Sequence, residues 1–355
     1  MMILSGDPPR SRVLSLLLIL LVAGLAFAPF LFPGAKPLNV AAKLCIFAIL
    51  VASYDLLLGY TGIVSFAHTM FYGLGSYGVA IALYSMGPTW GAVGLGFFVA
   101  LPLAALLALA IGLFSLRVQA IFFAMITLAV ASAFAVLASQ LSWLTGGEDG
   151  RTFQVPEVLR PGFVLIPKDV LGVAVNGRVL TYYLVFIACL ALFFLLLRVV
   201  NSPFGRVLQA IRENPFRAEA LGYRTVFHRT YANCLSAAIA ASVGALNALW
   251  LRYAGPDTSL SFAIMMDVLV MVVIGGMGTM YGAIIGAALF ILAQNYLQNL
   301  MGWVSTTTGD MGIPVLPNLF HPDRWLLWLG VLFVCSVYFF PSGIVGRLRA
   351  EKETR

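Results

Sequence analysis

The sequence predicts an all-α integral membrane protein of about ten transmembrane helices, and three observations carry that reading. Of its 355 residues, 61% are hydrophobic and only 10% charged, with a mean hydropathy of +0.97; soluble domains carry roughly a quarter charged residues. Two stretches, 56–116 and 268–309, contain no Lys, Arg, Asp or Glu. Each is longer than the ~20 residues that one helical span needs, so each holds more than one crossing. The apolar runs are also continuous, where a transmembrane barrel would show alternating segments of about ten residues.

The expected spans are 13–32, 38–58, 63–85, 90–116, 118–141, 180–199, 230–250, 260–274, 280–300 and 325–340. The first follows Arg10 and Arg12. Within it Ala26-Phe27-Ala28 has the small-x-small form of a signal-peptide cleavage site. The apolar run continues past that point and Pro29 would follow the cut, so a retained first helix is expected. The eighth span is short, because Gly275-Gly276-Met277-Gly278 interrupts its continuation.

Charge sets the orientation. With the N-terminus inside, thirteen of the 21 Lys and Arg lie in inside segments. Seven lie outside (Lys36, Arg151, Arg160, Lys168, Arg178, Arg252, Arg324) and Lys43 lies within a span. Cytoplasmic segments carry the excess of Lys and Arg, so both termini are expected in the cytoplasm. The net charge of +7 is spread over membrane-flanking loops and does not point to nucleic acid. Cys45, Cys189, Cys234 and Cys335 lie in apolar segments without metal-ligand spacing, and His68, His228 and His321 are far apart. Free thiols and no metal site are expected. The outside loop 142–179, with Gly146-Gly147, Pro156, Pro161 and Pro167, is read equally well as a cap over the outer mouth or as a connector.

The segment 201–229 is the longest basic stretch, with Arg206, Arg212, Arg217, Arg224 and Arg229. It encloses a short helix with both ends specified. Asn214 is a favoured N-cap, Pro215 suits the first helical position, and Phe216, Arg217, Ala218, Glu219, Ala220 and Leu221 continue it. Gly222 supplies the left-handed residue that ends it. A pre-capped helix outside the apolar spans implies docking to a separate subunit, with Phe216, Ala218 and Leu221 toward the partner.

No catalytic constellation is present. The phosphate loop Gly-x-x-x-x-Gly-Lys-Ser/Thr is absent, so the chain is not expected to bind ATP in that way. Two glycine-rich regions are candidates for the translocation pathway. One runs from Gly59 and Gly62 through Ser65 and His68 to Tyr77; the other contains Gly275, Gly276 and Gly278. Irregular backbone at membrane depth survives only against protein or a watery cavity, and transporters build binding sites from such broken helices. Gly278, Gly282 and Gly286 recur every four residues, which equally reads as helix packing. Asp55 and Asp267 lie inside spans. Such carboxylates face a bundle interior or cavity, as pathway groups or as structural hydrogen-bond acceptors. His68 reads first as a hydrogen-bonded core residue.

Ser65-Phe-Ala-His-Thr-Met-Phe-Tyr-Gly-Leu-Gly-Ser-Tyr77, Thr145-Gly-Gly147, Arg212-Glu-Asn-Pro-x-x-Ala-x-x-x-Gly222 and Val273-Ile-Gly-Gly-Met-Gly278 together resemble the permease subunits of branched-chain amino acid ABC importers. That family also serves urea, amides and related small solutes. The resemblance runs from about Leu38 to Ile344. It implies a type II-like importer fold and one permease domain over 1–345, with 142–179 periplasmic and 201–229 as a cytoplasmic coupling loop, followed by a tail at 346–355. It implies a bacterial inner-membrane location and that Asn214–Gly222 is the coupling helix. It also implies a second permease subunit, two cytoplasmic ATPase subunits that hold the ATP, and a periplasmic substrate-binding protein. The chain itself would then be no enzyme and need no cofactor. Many relatives have a polar run after the Thr-Leu of the fifth span; here Thr127-Leu128 is followed by Ala129-Val-Ala-Ser132. A proton- or sodium-coupled secondary transporter working through Asp55, His68 or Asp267 stays open as the alternative, although a lone carrier does not need the capped helix.

Overall fold

The computed structural model describes residues 12–32, 34–115, 120–164, 174–310, 320–340 and 343–350. In chain order its helices are α1 (Arg12–Ala26), α2 (Ala28–Leu31), α3 (Ala35–Thr61), α4 (His68–Met86), α5 (Trp90–Ser115), α6 (Ala120–Gln140), α7 (Ser142–Thr145) and α8 (Gly177–Val200). They continue with α9 (Pro203–Glu213), α10 (Pro215–Ala220), α11 (Thr225–Leu251), α12 (Pro256–Ser259), α13 (Phe262–Gly275), α14 (Met280–Asp310), α15 (Trp325–Phe339) and α16 (Gly343–Ala350). Every expected span has a helix. Among the described residues, eight helical segments are long and apolar enough to cross a membrane, and α1 is a shorter apolar helix.

Helix α3 is the axis. It is apolar on all sides, the pattern of a helix with no solvent face, and 94% of its most apolar window is buried. Helices α8, α11, α13 and α14 pack around it, and α4, α5 and α11 pack mutually against one another. By contrast only 22%, 17% and 12% of the corresponding windows of α5, α6 and the segment containing α15 are buried. Those helices therefore present apolar side chains such as Phe98, Ile121 and Leu326 outward, as a lipid-facing or subunit-facing surface requires. Helix α1 is tied on at its C-terminal end, where Tyr182 and Tyr183 of α8 donate to the carbonyls of Leu25 (2.6 Å) and Ala26 (2.9 Å). An apolar cleft of about 680 Å³ is lined by α1, α3, α8 and α14, and Leu14 of α1 packs with Ile285 of α14 and Val345 of α16.

Close approach of helices rests on small residues. A Cβ on Gly75 would meet the Ala241 carbonyl of α11, and one on Gly244 would meet the Tyr72 carbonyl of α4. On α14, Gly282 and Gly286 lie against the backbone of α13 at Gly275 and Met271. Gly278, read both as part of the helix interruption and as the start of that ridge, sits in the turn that joins the two helices.

Several boundaries move. The third span was expected from 63, but α4 starts at His68 and 62–67 are not helical. Helix α11 begins at Thr225 and α14 runs to Asp310, both longer than expected. At the bundle end away from α9 and α10, residues 142–164 fold over the helix ends. Strand β1 (Arg151–Thr152) pairs antiparallel with β2 (Tyr253–Ala254). Phe153, Val155 and Leu159 are buried in a second core with Tyr77, Leu83, Ala248 and Leu249, so this part of the loop is packed against the bundle.

The α4–α11 contact leaves no room for a methyl group. Gly244→Ala should therefore overpack and destabilise by about 1–3 kcal/mol, visible as a lower melting temperature in detergent and reduced yield. Gly94→Ala on α5, where nothing lies within 4 Å of the added carbon, should leave both unchanged. Equal melting temperatures for the two variants would refute the packing account.

Candidate functional site

The segment between α8 and α11 folds as two helices, where the sequence reading expected one. In α9, Ser202 caps the N-terminus by accepting from the Gly205 amide (3.4 Å), with Pro203 at the first position. Leu208 and Ile211 face the bundle and are fully buried, while Arg206, Gln209 and Glu213 point outward. The signal was present as the Ser-Pro start and the apolar spacing of Phe204, Leu208 and Ile211, but the Arg content drew the reading toward a charged flank.

Asn214 serves both helices. Its amide donates to the Ala210 carbonyl (3.0 Å) and closes α9, and its side-chain oxygen accepts from the Arg217 amide (3.0 Å) and opens α10. Helix α10 ends at Ala220, with Leu221 as its C-cap. Gly222 follows at φ +93°, and the amides of Gly222 and Tyr223 close the end on Glu219 (2.9 Å) and Ala218 (3.1 Å). Thr225 donates to the Glu219 carboxylate (2.5 Å), which braces α10 against the first turn of α11. Phe216 is 81% exposed and Leu221 72%, whereas Ala218 is 2% exposed. The expectation that Ala218 faces outward is thus corrected. Its small side chain is what lets α10 lie on its own bundle.

Asp55, Gly59, Gly62, Gly275, Gly276 and Gly278 come together at the same end of the bundle. Asp55 is fully buried, and its Oδ1 accepts from the Gly278 amide at 2.9 Å. A Cβ on Gly59 would collide with that same oxygen and with the Gly278 nitrogen. Gly278 adopts φ +81°, a conformation glycine enters without a steric penalty. Arg212, near the end of α9, lies along Gly62 and donates through Nη1 to the Gly59 carbonyl. The turn after α13 is further tied by Thr279 Oγ1 to the Gly276 carbonyl (2.8 Å), and Gly343 of α16 packs on Gly276. This contact of Arg212 was not read from the sequence, where it counted only as one of five basic residues.

Ser65 and His68 lie elsewhere, at the start of α4. The Ser65 hydroxyl accepts from the Ala67 amide (3.4 Å). His68 is buried, with Nε2 2.8 Å from the Ser53 hydroxyl and its ring 5.3 Å from that of Tyr54. Ser236 of α11 donates to the Ser53 carbonyl (2.5 Å). Thr127, a buried hydroxyl in the apolar α6, accepts from the Phe66 amide at 3.0 Å and so bonds the broken stretch before α4. Asp267 forms a third group near the other end of the bundle, with Lys43 and Gln294; Lys43 donates to Gln294 at 2.8 Å. The structure therefore does not bring Asp55, His68 and Asp267 together. No group of three or more His, Cys, Asp or Glu suited to a metal ion occurs among the described residues.

Comparison with known proteins gives a consistent picture. Residues 36–337 match the model of the family described as branched-chain amino acid transport system, permease component. The high-affinity branched-chain amino acid transport system permease protein LivM of Salmonella typhimurium is 28% identical over 87% of this chain and 74% of its own. LivM of Escherichia coli is 27% identical over the same shares. BraD of Pseudomonas aeruginosa, a permease protein of the same kind of system, is 24% identical over 86% of this chain and 93% of its own. A solved inward-facing structure assigned to a metal-chelate type ABC transporter aligns over 92% of this chain and 98% of its own, at 18% identity and a TM-score of 0.48.

The burial difference within α10 is directly testable. Ala218→Trp should overpack and destabilise by about 1–3 kcal/mol, with faster proteolysis between 203 and 225. Phe216→Trp, at an exposed position, should stay within about 0.5 kcal/mol of the parent. Thermal unfolding in detergent measures both, and the reverse ranking would place Ala218 on the outer face after all.

Proposed function

The chain belongs to the family of branched-chain amino acid transport permease components and is the membrane-spanning permease subunit of an ABC importer; on that premise we propose that it carries branched-chain amino acids or similar small polar solutes across the bacterial inner membrane. The observation that carries the mechanism is α10, a six-residue helix fixed at both ends that turns Phe216 and Leu221 outward from a basic segment. Large apolar side chains exposed together mark a protein-binding surface, and a short helix offering them suits a groove on another subunit.

In this reading the 201–229 side is cytoplasmic and α10 docks on a separate ATPase subunit. Two such ATPases hold the ATP, a second permease subunit completes the membrane part, and a periplasmic binding protein delivers solute to the side carrying 142–164. This chain performs no covalent chemistry and needs no cofactor of its own. Hydrolysis in the partner displaces α10, and the bundle moves with it. The family name and the names of the relatives support the solute class, and the Lys and Arg distribution supports the orientation.

Two measurements test the proposal. Single cysteines at Glu157 and Arg217, in a background free of native cysteine, should react with an impermeant reagent in intact cells only at 157; labelling at 217 alone inverts the orientation. The pair Phe216→Asp and Leu221→Asp should keep normal membrane levels yet retain less than a tenth of the bound ATPase and of solute uptake. Gly222→Val should act in the same direction, because a branched residue in that left-handed conformation costs about 1–2 kcal/mol. Proton-driven accumulation by vesicles holding this chain alone would overturn the ATP-dependent reading.

A further inference from the structure

We propose that Arg212 is a positioning residue that transmits the movement of α10 to the broken turn between α13 and α14. The proposal deepens the reading above and rests on it. It starts from the joint at Asn214. One residue closes α9 and opens α10, with hydrogen bonds on both sides, so α10 cannot be displaced without carrying the C-terminal turn of α9. Arg212 sits in that turn, two residues before the joint.

From Arg212 the contacts run inward with little side-chain material between backbones. Its guanidinium donates to the Gly59 carbonyl at the end of α3. Gly59 lies against the Gly278 nitrogen and against Asp55 Oδ1. Asp55, fully buried, accepts from that nitrogen at 2.9 Å. Gly276, in the same turn, carries Gly343 of α16. A displacement entering at Asn214 therefore reaches α3, the α13–α14 turn and α16 through one guanidinium and one carboxylate. Flexible packing would dissipate such a displacement; hydrogen bonds to backbone at glycine contacts cannot slide without breaking.

A second observation gives the linkage two settings. Asp55 Oδ2 is buried and makes no hydrogen bond of good geometry, with the Thr279 amide beside the carboxylate and Arg212 within electrostatic reach of it. A buried open acceptor of this kind is unusual. It offers the guanidinium an alternative to the Gly59 carbonyl when α9 shifts, so the arginine can stay bonded in both positions. A two-state element biased from one site and read at another is what physical coupling requires.

The test separates coupling from assembly and from folding. Arg212→Ala and Arg212→Gln, purified with their ATPase partners, should bind those partners and hydrolyse ATP at near parental rates, while solute moved per ATP falls at least tenfold. Arg212→Lys should recover part of the ratio, since an ammonium can still donate to Gly59. Gly278→Ala should reproduce the loss from the other side, because its methyl group would press on Arg212 and the Gly59 carbonyl. Arg206→Ala, exposed on the same helix, should leave the ratio unchanged. A purely structural role would lower yield and melting temperature at a constant ratio. An unchanged ratio in Arg212→Ala overturns the proposal. Failure of the parental chain to bind any ATPase would instead overturn the reading beneath it.

Discussion

Where a helix breaks inside a bilayer, each backbone group it frees must find a partner within the protein, because the surrounding lipid offers none. This chain breaks at 62–67 and at 276–279, and the partners are specific. Asp55 takes the Gly278 amide, Thr127 takes the Phe66 amide, and Arg212 takes no amide but satisfies the Gly59 carbonyl. Three helices that are distant in sequence, α3, α6 and α9, thus hold the two breaks in place. Service to the second break accounts for an aspartate buried to zero exposure.

The same constraint explains the arrangement around α3. Helix α3 supplies the acceptor for the 276–279 break and the Gly59 carbonyl that Arg212 reaches, and it is surrounded by α8, α11, α13 and α14. Its polar residues are staged along its length. Lys43 meets Gln294 and Asp267 near one end, Ser53 meets His68 and Ser236 farther along, and Asp55 meets the α13–α14 turn near the other end. At about 1.5 Å per residue, Lys43 and Asp55 are roughly 18 Å apart along the axis. That separation sets the Lys43–Asp267 group apart from Asp55, while Ser53 and Asp55, only two residues apart, bond different partners.

Most of the architecture was legible from hydropathy, since the period and length of an apolar run report directly on a spanning helix. The capped helix at 214–222 was legible too, because Asn-Pro and Gly act through their own backbone geometry. What escaped were contacts whose partners lie far along the chain. Arg212 read as one basic residue among five, yet its partner is 153 positions away. Thr127 was read only as part of the Thr-Leu pair before a missing polar run, not as a partner of Phe66, and Ala218 as a docking surface, because neither burial nor the direction of a short side chain is encoded in composition. Of the two readings of Gly278, the interruption holds and the packing ridge does not, because spacing assumes an unbroken helix and α13 ends at Gly275.

The shared residue Asn214 also bears on how this segment can vary. Connections on the surface of a bundle ordinarily accept insertions and deletions. Here a single added residue between Glu213 and Pro215 would stop one asparagine from closing α9 and opening α10 together, and would re-aim Phe216 and Leu221 away from the direction they now face. The stretch is consequently free in much of its spelling but fixed in its length. Across descendants of this chain, change in 203–222 is expected to come by substitution at exposed positions, with the residue count held constant.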